Sequence, residues 1–577
     1  MILLQANLAV DGNRDGQMSF NDPFVRDADK TTSDKPYRFW LNDDDDTEIT
    51  DGGQPVEVEK VPTSHRDHSL HEIVSKRNLE DFARLWIDLS GATDALDWGM
   101  QIGLKWKNVS GAPAINIYPS ADGDGSSSYV TDDAAAQGQI TGVFNDAVRD
   151  KNNKQTVDAN STFIFKSDYW TDLYYSDPKK CFLFEGASES KGELTVVFLD
   201  ANGNEIAEGD SVWLDLKNIK KMYERASATP DPLTPLPYQS ASSTFDESDI
   251  NYSPDVSPRF EQPEDETPQC LVFVHGWAMS YDDSINFSET MFKRLWWQGY
   301  KGRFAAFRWA TQTSATSYNT SEWLAWKYGK SLLNYVDNYL KHQMPDYTMN
   351  IAAHSMGNIV AGSALKRGLT IDEYILMEAA IPSGCYNDSV NNYPRFLNAE
   401  AANPTPDTEA ELGYRLFIQS VLGNVGKIIS FFNVDDYALA TGTTAFLGWP
   451  FETNWEKNQV DFKPNRLNSQ NSTYGDYLFS ANQPMGLQVS LGWNQDITGT
   501  YLSSRPVTDI HESMAFVARP RSKAVGAETH NASVFGSVVN LQPLCGFGAD
   551  SQDHSGQFNW RIQQLGSLYQ RLFEDLQ

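Results

Sequence analysis

The segment TMNIAAHSMGNIVAGSALKRG, residues 348–368, constrains this chain more than any other stretch. A β-prone apolar run passes directly into Ala353-His354-Ser355-Met356-Gly357 and then into a helix of small residues. That order demands a sharp turn with a serine at its tip. Backbones pass closely at such a turn, so its flanks must be small, and Gly357 and Ala353 meet the need.

The surroundings repeat the same grammar. From 269 to 577 apolar runs alternate with amphipathic stretches, which is the pattern of a mostly parallel sheet covered by helices. The expected strands are LVFVHG near 271, RFAAFRW near 303, TMNIAA near 348, EYILMEA near 373 and KIISFFNV near 427. The expected helices are INFSETMFKRLWWQG, SEWLAWKYGKSLLNYVDNYLKHQ, NIVAGSALKRG and the terminal FNWRIQQLGSLYQRLFEDL. Residues 1–225 read differently, as short segments such as ARLWIDLSG, MQIGLKWKN and LTVVFLD broken by Gly, Asn and Asp. A β-rich region is expected there. Between them, residues 226–268 are rich in Pro, Ser, Asp and Glu and read as a linker.

A sharp strand-turn-helix with serine at its tip is a nucleophile elbow. AHSMG resembles the elbow variant of bacterial lipases in the α/β-hydrolase superfamily, with Ala353 in place of the first glycine of GxSxG. The resemblance spans roughly 269–577 and implies an α/β-hydrolase domain with Ser355 as nucleophile. His275-Gly276-Trp277 after the first strand resembles the oxyanion loop of lipases, which implies backbone N–H donors at Trp277 and Met356. Losing one such donor costs roughly 3 to 4 kcal/mol in characterised hydrolases. His275 is read as conformational support and His354 as a packing residue.

The order expected of this fold is serine, acid, histidine. Asp436 is preferred as the acid, with Asp435 as runner-up, both following KIISFFNV, and Glu378 as a rival on the preceding strand. His554, ahead of the terminal helix, is preferred as the base over His511 and His530. The aromatic-rich stretch between acid and base is read as either a cleft wall or a surface insertion. The implied activity is cleavage of carboxylic esters, possible substrates being lipid or polymer esters. A thioester, an amide, acyl transfer or a non-catalytic surface-binding role are the alternatives, because the fold does not fix the acceptor. No cofactor is implied for catalysis.

Asp11, Asn13, Asp15 and Asp22 with Gly16 match the spacing of a calcium loop, although Pro23 argues against flanking EF-hand helices. A structural calcium ion is therefore expected, with Asp43–Asp46 as a further acidic run, and with it a secreted or cell-surface location. Acidic residues number 77 against 46 basic ones, a formal charge of -31, so nucleic acid is excluded as a partner. The apolar runs fall short of a transmembrane segment and no signal peptide is legible. The four cysteines, Cys181, Cys270, Cys385 and Cys545, lack metal-site or disulfide-framework spacing.

Overall fold

The computed structural model describes residues 4–41, 49–51, 54–56, 79–92, 99–120, 125–132, 134–136, 138–139, 155–166, 169–170, 179–228, 253–254, 266–279, 281–311, 318–381, 386, 417–433, 436, 451–454, 459–462, 526, 534–547, 553–559 and 562–577. The expected strands of the C-terminal half are present, and their burial explains their composition. Gln269–Val274 and Arg303–Arg308 are covered on both faces. Apart from polar residues at their ends, both strands are apolar, because neither side meets water.

The central sheet has the order Ser253–Pro254, Glu224–Ser227, Arg303–Arg308, Gln269–Val274, Thr348–His354, Ile371–Met377, Val425–Phe432 and Ser537–Asn540. Seven of these strands run parallel, and Ser253–Pro254 pairs antiparallel at one edge. Glu224–Ser227 crosses the expected boundary at 225, so the sheet recruits a strand from before the Pro-rich segment. Ser537–Asn540 extends the other edge. Both are four-residue strands with polar residues, which carry little periodic signal.

Alternation along the strands assigns the two faces. Val272, Val274, Ile351 and Ala353 face a core closed by Tyr318–Leu333 and Gly357–Lys366. The first of these runs on into a π-helical turn, Asn334–Leu340, where one continuous α-helix is expected. Leu271, Phe273, Ala352 and Ile375 face the other way, against Tyr281–Trp297 and Ile562–Asp575. No helix among the described residues is long and apolar enough to cross a membrane.

The N-terminal half forms two five-stranded sheets. One has the order Gln5–Ala9, Ala83–Gly91, Lys179–Ser188, Ala114–Pro119 and Gln155–Asp158; the other has Tyr37–Trp40, Glu205–Lys217, Ser190–Leu199, Gln101–Ser110 and Phe163–Ile164. All their pairings are antiparallel except Tyr37–Trp40 with Glu205–Lys217. Their inward residues, Leu85, Ile87, Leu104, Phe184 and Leu194 among them, belong to the same buried cluster as the second face of the central sheet. The join is aromatic: Trp296 lies 5.7 Å from Tyr37, 5.4 Å from Phe39 and 5.1 Å from Trp40, ring centre to ring centre. It is also ionic, for Lys293 Nζ sits 2.7 Å from Asp81 Oδ1 with both side chains fully buried.

A buried charge that loses its partner is strongly destabilising, whereas replacing both partners by apolar groups is often neutral. Lys293→Met is expected to lower stability by about 3 to 5 kcal/mol, and the double variant with Asp81→Leu to recover most of it. Urea unfolding of the single and double variants checks this, and equal losses in the two would contradict it.

Candidate active site

Thr348–His354 ends in the turn expected at 355. Ser355 has φ +51°, a left-handed conformation that costs a non-glycine residue about 1 to 3 kcal/mol unless its surroundings impose it. Here the backbone imposes it. The Ser355 N–H donates to the Met377 carbonyl at 2.9 Å, and the Ser355 carbonyl accepts from the N–H of Ala380 at 3.0 Å. Fully buried Asn358 completes the brace, with Nδ2 donating to the carbonyls of Ala353 at 2.7 Å and Ser355 at 3.0 Å. Tyr374 Oη in turn donates to Asn358 Oδ1 at 2.9 Å.

Gly357 is required by contact rather than by φ. A methyl there would lie 2.4 Å from the His275 carbonyl oxygen and 2.5 Å from that of Val274. Gly276 is similar, since its added methyl would stand 3.0 Å from both Ser355 Cβ and His354 Nδ1. The His275–Trp277 loop therefore lies against the serine. Trp277 follows Gly276 on that loop, and Met356 caps the helix Gly357–Lys366, where first-turn N–H groups lack an intrahelical acceptor.

Two histidines beside the serine are structural. The Trp309 N–H donates to His275 Nε2 at 3.2 Å, and His275 Nδ1–H donates to the Gly276 carbonyl at 2.9 Å, so the ring is neutral. Burial holds it down to about 3. His354 is likewise pushed down to about 3, by burial first and then by the adjacent His554. Its Nε2–H donates to the backbone carbonyl of His554 at 2.6 Å.

Three distant segments converge here. His554 Nε2 lies 2.8 Å from Ser355 Oγ, and His554 Nδ1 lies 2.7 Å from Asp436 Oδ2. Asp436 is fully buried beyond the end of Val425–Phe432, and His554 sits in the turn Asp553–Ser555. A carboxylate only accepts hydrogen bonds, so the imidazole proton lies on Nδ1 and the Nε2 lone pair faces the serine hydroxyl. That tautomer can take a proton from Oγ. Asp435, His511, His530 and Asp43–Asp46 lie outside the described residues.

Glu378 does not meet His554 in this way; it receives the side-chain amide of Gln557. His354, Glu378 and His554 do offer ligand atoms within 4.8 Å of one another, but both nitrogens of His554 already serve Ser355 and Asp436. Gln557, three residues past His554, links this segment to the N-terminal half. Arg294 Nη1 donates to its carbonyl at 2.7 Å, Tyr569 Oη does so at 2.9 Å, and Arg294 Nε reaches Glu80 Oε2 at 3.4 Å. Arg294 and Gln557 escape sequence reading; the one available signal for Arg294 is a charge among the apolar positions of an amphipathic helix.

The N-terminal acidic loop departs from the spacing read in the sequence. Asp22 caps the helix Pro23–Ala28, its carboxylate accepting from the Phe24 N–H at 2.9 Å, because Pro23 starts a helix there. Asp11 and Asp15 are joined instead by Asp29, with one oxygen of each within 4.8 Å of the others. Burial, followed by the charge of Asp11, pushes Asp29 up to about 7.

Two outcomes are expected. Gly357→Ala should cost at least about 2 kcal/mol by forcing backbone against backbone, while Gly138→Ala, with open space around it, should be neutral within about 0.5 kcal/mol; thermal melts compare them. His275 stays neutral when folded and takes up a proton below about 6.5 when unfolded, so it withdraws stability as pH falls from 6.5 toward 3. His275→Asn should therefore lose less unfolding midpoint than wild type between pH 6.5 and pH 5, and a parallel decline in the two proteins would contradict this assignment.

Comparison with solved structures finds distant likenesses. One is a protein of Rickettsia typhi named as a candidate hydrolase, at 10% identity over 30% of this chain and 71% of that one, TM-score 0.17. A bifunctional GH43-CE protein of Bacteroides eggerthii matches at 9% identity over 68% of this chain and 59% of its own, TM-score 0.22. The C-terminal domain of the Streptococcus pyogenes antigen I/II-family protein AspA matches at 13% identity over 32% and 54%, TM-score 0.12. No curated protein matches this chain. Residues 259–387, from before the strand Gln269–Val274 to beyond Glu378, match the family described as alpha/beta hydrolase of unknown function (DUF900). With the parallel sheet and its elbow, that match gives the C-terminal half an α/β-hydrolase fold and supports hydrolysis as its class of reaction.

Proposed function

We propose that this protein is a serine hydrolase that cleaves carboxylic esters through an acyl-enzyme on Ser355. The observation that carries the reading is the unbroken relay from Ser355 Oγ through both nitrogens of His554 to Asp436, at 2.8 and 2.7 Å. His554 Nε2 takes the hydroxyl proton as Oγ attacks the ester carbonyl carbon. The N–H groups of Trp277 and Met356 stabilise the resulting oxyanion. Collapse of the tetrahedral intermediate breaks the carbonyl carbon–oxygen bond, and the imidazolium returns its proton to the departing alcohol. Water then attacks the acyl-enzyme with His554 again as base, releasing the acid and restoring Ser355.

Asp436 holds the Nδ1–H tautomer and compensates the imidazolium. His354 is a positioning residue, because its bond to the His554 carbonyl fixes the backbone that carries the base. An ester substrate suits this site because its alcohol leaves with a single proton from His554.

The test is hydrolysis of p-nitrophenyl esters from acetate to palmitate by wild type, Ser355→Ala and Asp436→Asn. Turnover is expected in wild type alone, with Asp436→Asn reduced by about 10⁴-fold in kcat. The chain-length optimum separates an esterase from a lipase. Equal turnover by wild type and Ser355→Ala would sink the proposal, as would failure of a fluorophosphonate probe to label Ser355.

A further inference from the structure

The loop that leaves the first N-terminal strand holds more negative charge than its surroundings compensate. Asp11 is buried; its Oδ1 accepts from the Asp15 N–H at 3.1 Å, and its Oδ2 from the Gly16 N–H at 3.0 Å and Arg84 Nη2 at 2.6 Å. Asp15 accepts from the Gln17 N–H at 2.8 Å and from Asn13 Nδ2 at 2.9 Å. Asp29 reaches the loop from the far end of the helix Pro23–Ala28, and its Oδ1 accepts from the Asn13 N–H at a long 3.4 Å. Asp29 is only 4% exposed, and its Oδ2 has no hydrogen-bond partner among the described residues. A buried carboxylate oxygen left without a partner is costly unless something else binds it.

We infer that Asp11, Asp15 and Asp29 hold a calcium ion that ties the first strand's exit loop to the end of the following helix. Once all three carboxylates are ionised, the one guanidinium of Arg84 leaves two negative charges, which one divalent cation neutralises. The donors are all oxygen, which selects a hard cation. One oxygen from each aspartate lies within 4.8 Å of the others, the span of two ligands on opposite sides of a calcium ion at about 2.4 Å each. Magnesium requires a tighter octahedron at about 2.1 Å. Asn13 Oδ1 accepts from the Asp15 N–H at 2.9 Å, bending the loop so that its carboxylates converge. Backbone carbonyls and water complete the shell.

The ion would brace more than a loop. Arg14, inside it, lies over the Trp296 ring at 5.0 Å, the same ring that joins the N-terminal sheets to the hydrolase half. Arg84 also donates to the Gly125 carbonyl at 2.7 Å, drawing a second loop to the site. This inference does not depend on the proposed chemistry at Ser355, and its readouts are binding and stability.

The experiment is calcium titration of the EGTA-stripped full-length chain by calorimetry, with thermal melts, for wild type, Asp29→Asn, Asp15→Asn and Asp22→Asn. Wild type should bind one calcium with saturation below about 1 mM and gain a few degrees of melting midpoint. Asp29→Asn and Asp15→Asn should each weaken binding by about tenfold or more, while Asp22→Asn stays within about twofold. Asp15 is exposed, so its variant tests the site even should Asp29→Asn fold poorly. The inference falls if wild type neither binds nor gains midpoint up to about 10 mM calcium, or if Asp22→Asn abolishes binding while Asp29→Asn keeps it.

Discussion

A serine at φ +51° is a conformation the chain does not adopt by itself, and the rest of the site depends on the structure that imposes it. The imposing contacts come from the neighbouring strand: Met377 accepts the Ser355 N–H and Ala380 donates to its carbonyl. Asn358, one turn into the helix, ties the end of the strand to the tip of the turn. The strain of about 1 to 3 kcal/mol is held by a sheet whose strands are buried on both faces. With the turn so fixed, Oγ points away from the core toward His554 and the helix N-terminus points at the same space.

The N-terminal half is part of the same solid. Its two sheets share a buried cluster with one face of the central sheet, and the aromatic contacts of Trp296 with Tyr37, Phe39 and Trp40 cross between them. Buried ion pairs cross as well, Asp81 with Lys293 and Glu80 with Arg294. Arg294 also holds the carbonyl of Gln557, three residues beyond His554. The segment that carries His554 is thus tied through Arg294 to Glu80, far earlier in the chain. Close positioning of this kind matters because a misplacement of about 1 Å can cost a hydrolase about 10²-fold.

Charge follows a similar logic at short range. The protein carries a large acidic excess, yet several of its buried acids are each placed against a specific group. Asp436 meets the imidazole of His554, Asp81 meets Lys293 and Glu378 meets Gln557. Asp29 is instead grouped with two other acids, Asp11 and Asp15, with one oxygen of each within 4.8 Å of the others.

The strand-turn-helix at Ser355 and the alternation of buried strands with amphipathic helices were legible because each is a local property: a run of side chains either matches the period of a strand or helix or it does not. That Asp436 reaches His554, and that Glu378 turns to Gln557 instead, depends on where strand ends 50 to 200 residues apart come to lie. The short polar strands Glu224–Ser227 and Ser537–Asn540 take their structure from pairing with neighbours rather than from their own pattern. The convergence of Asp29, rather than Asp22, with Asp11 and Asp15 has the same origin. Loop spacing counted along the chain places Asp22 among the ligands, but Pro23 starts a helix that consumes Asp22 as its cap and delivers Asp29 from its far end. Local pattern determined which elements form; only the tertiary structure decided which side chains meet, because that depends on the ends of separate segments that no periodicity connects.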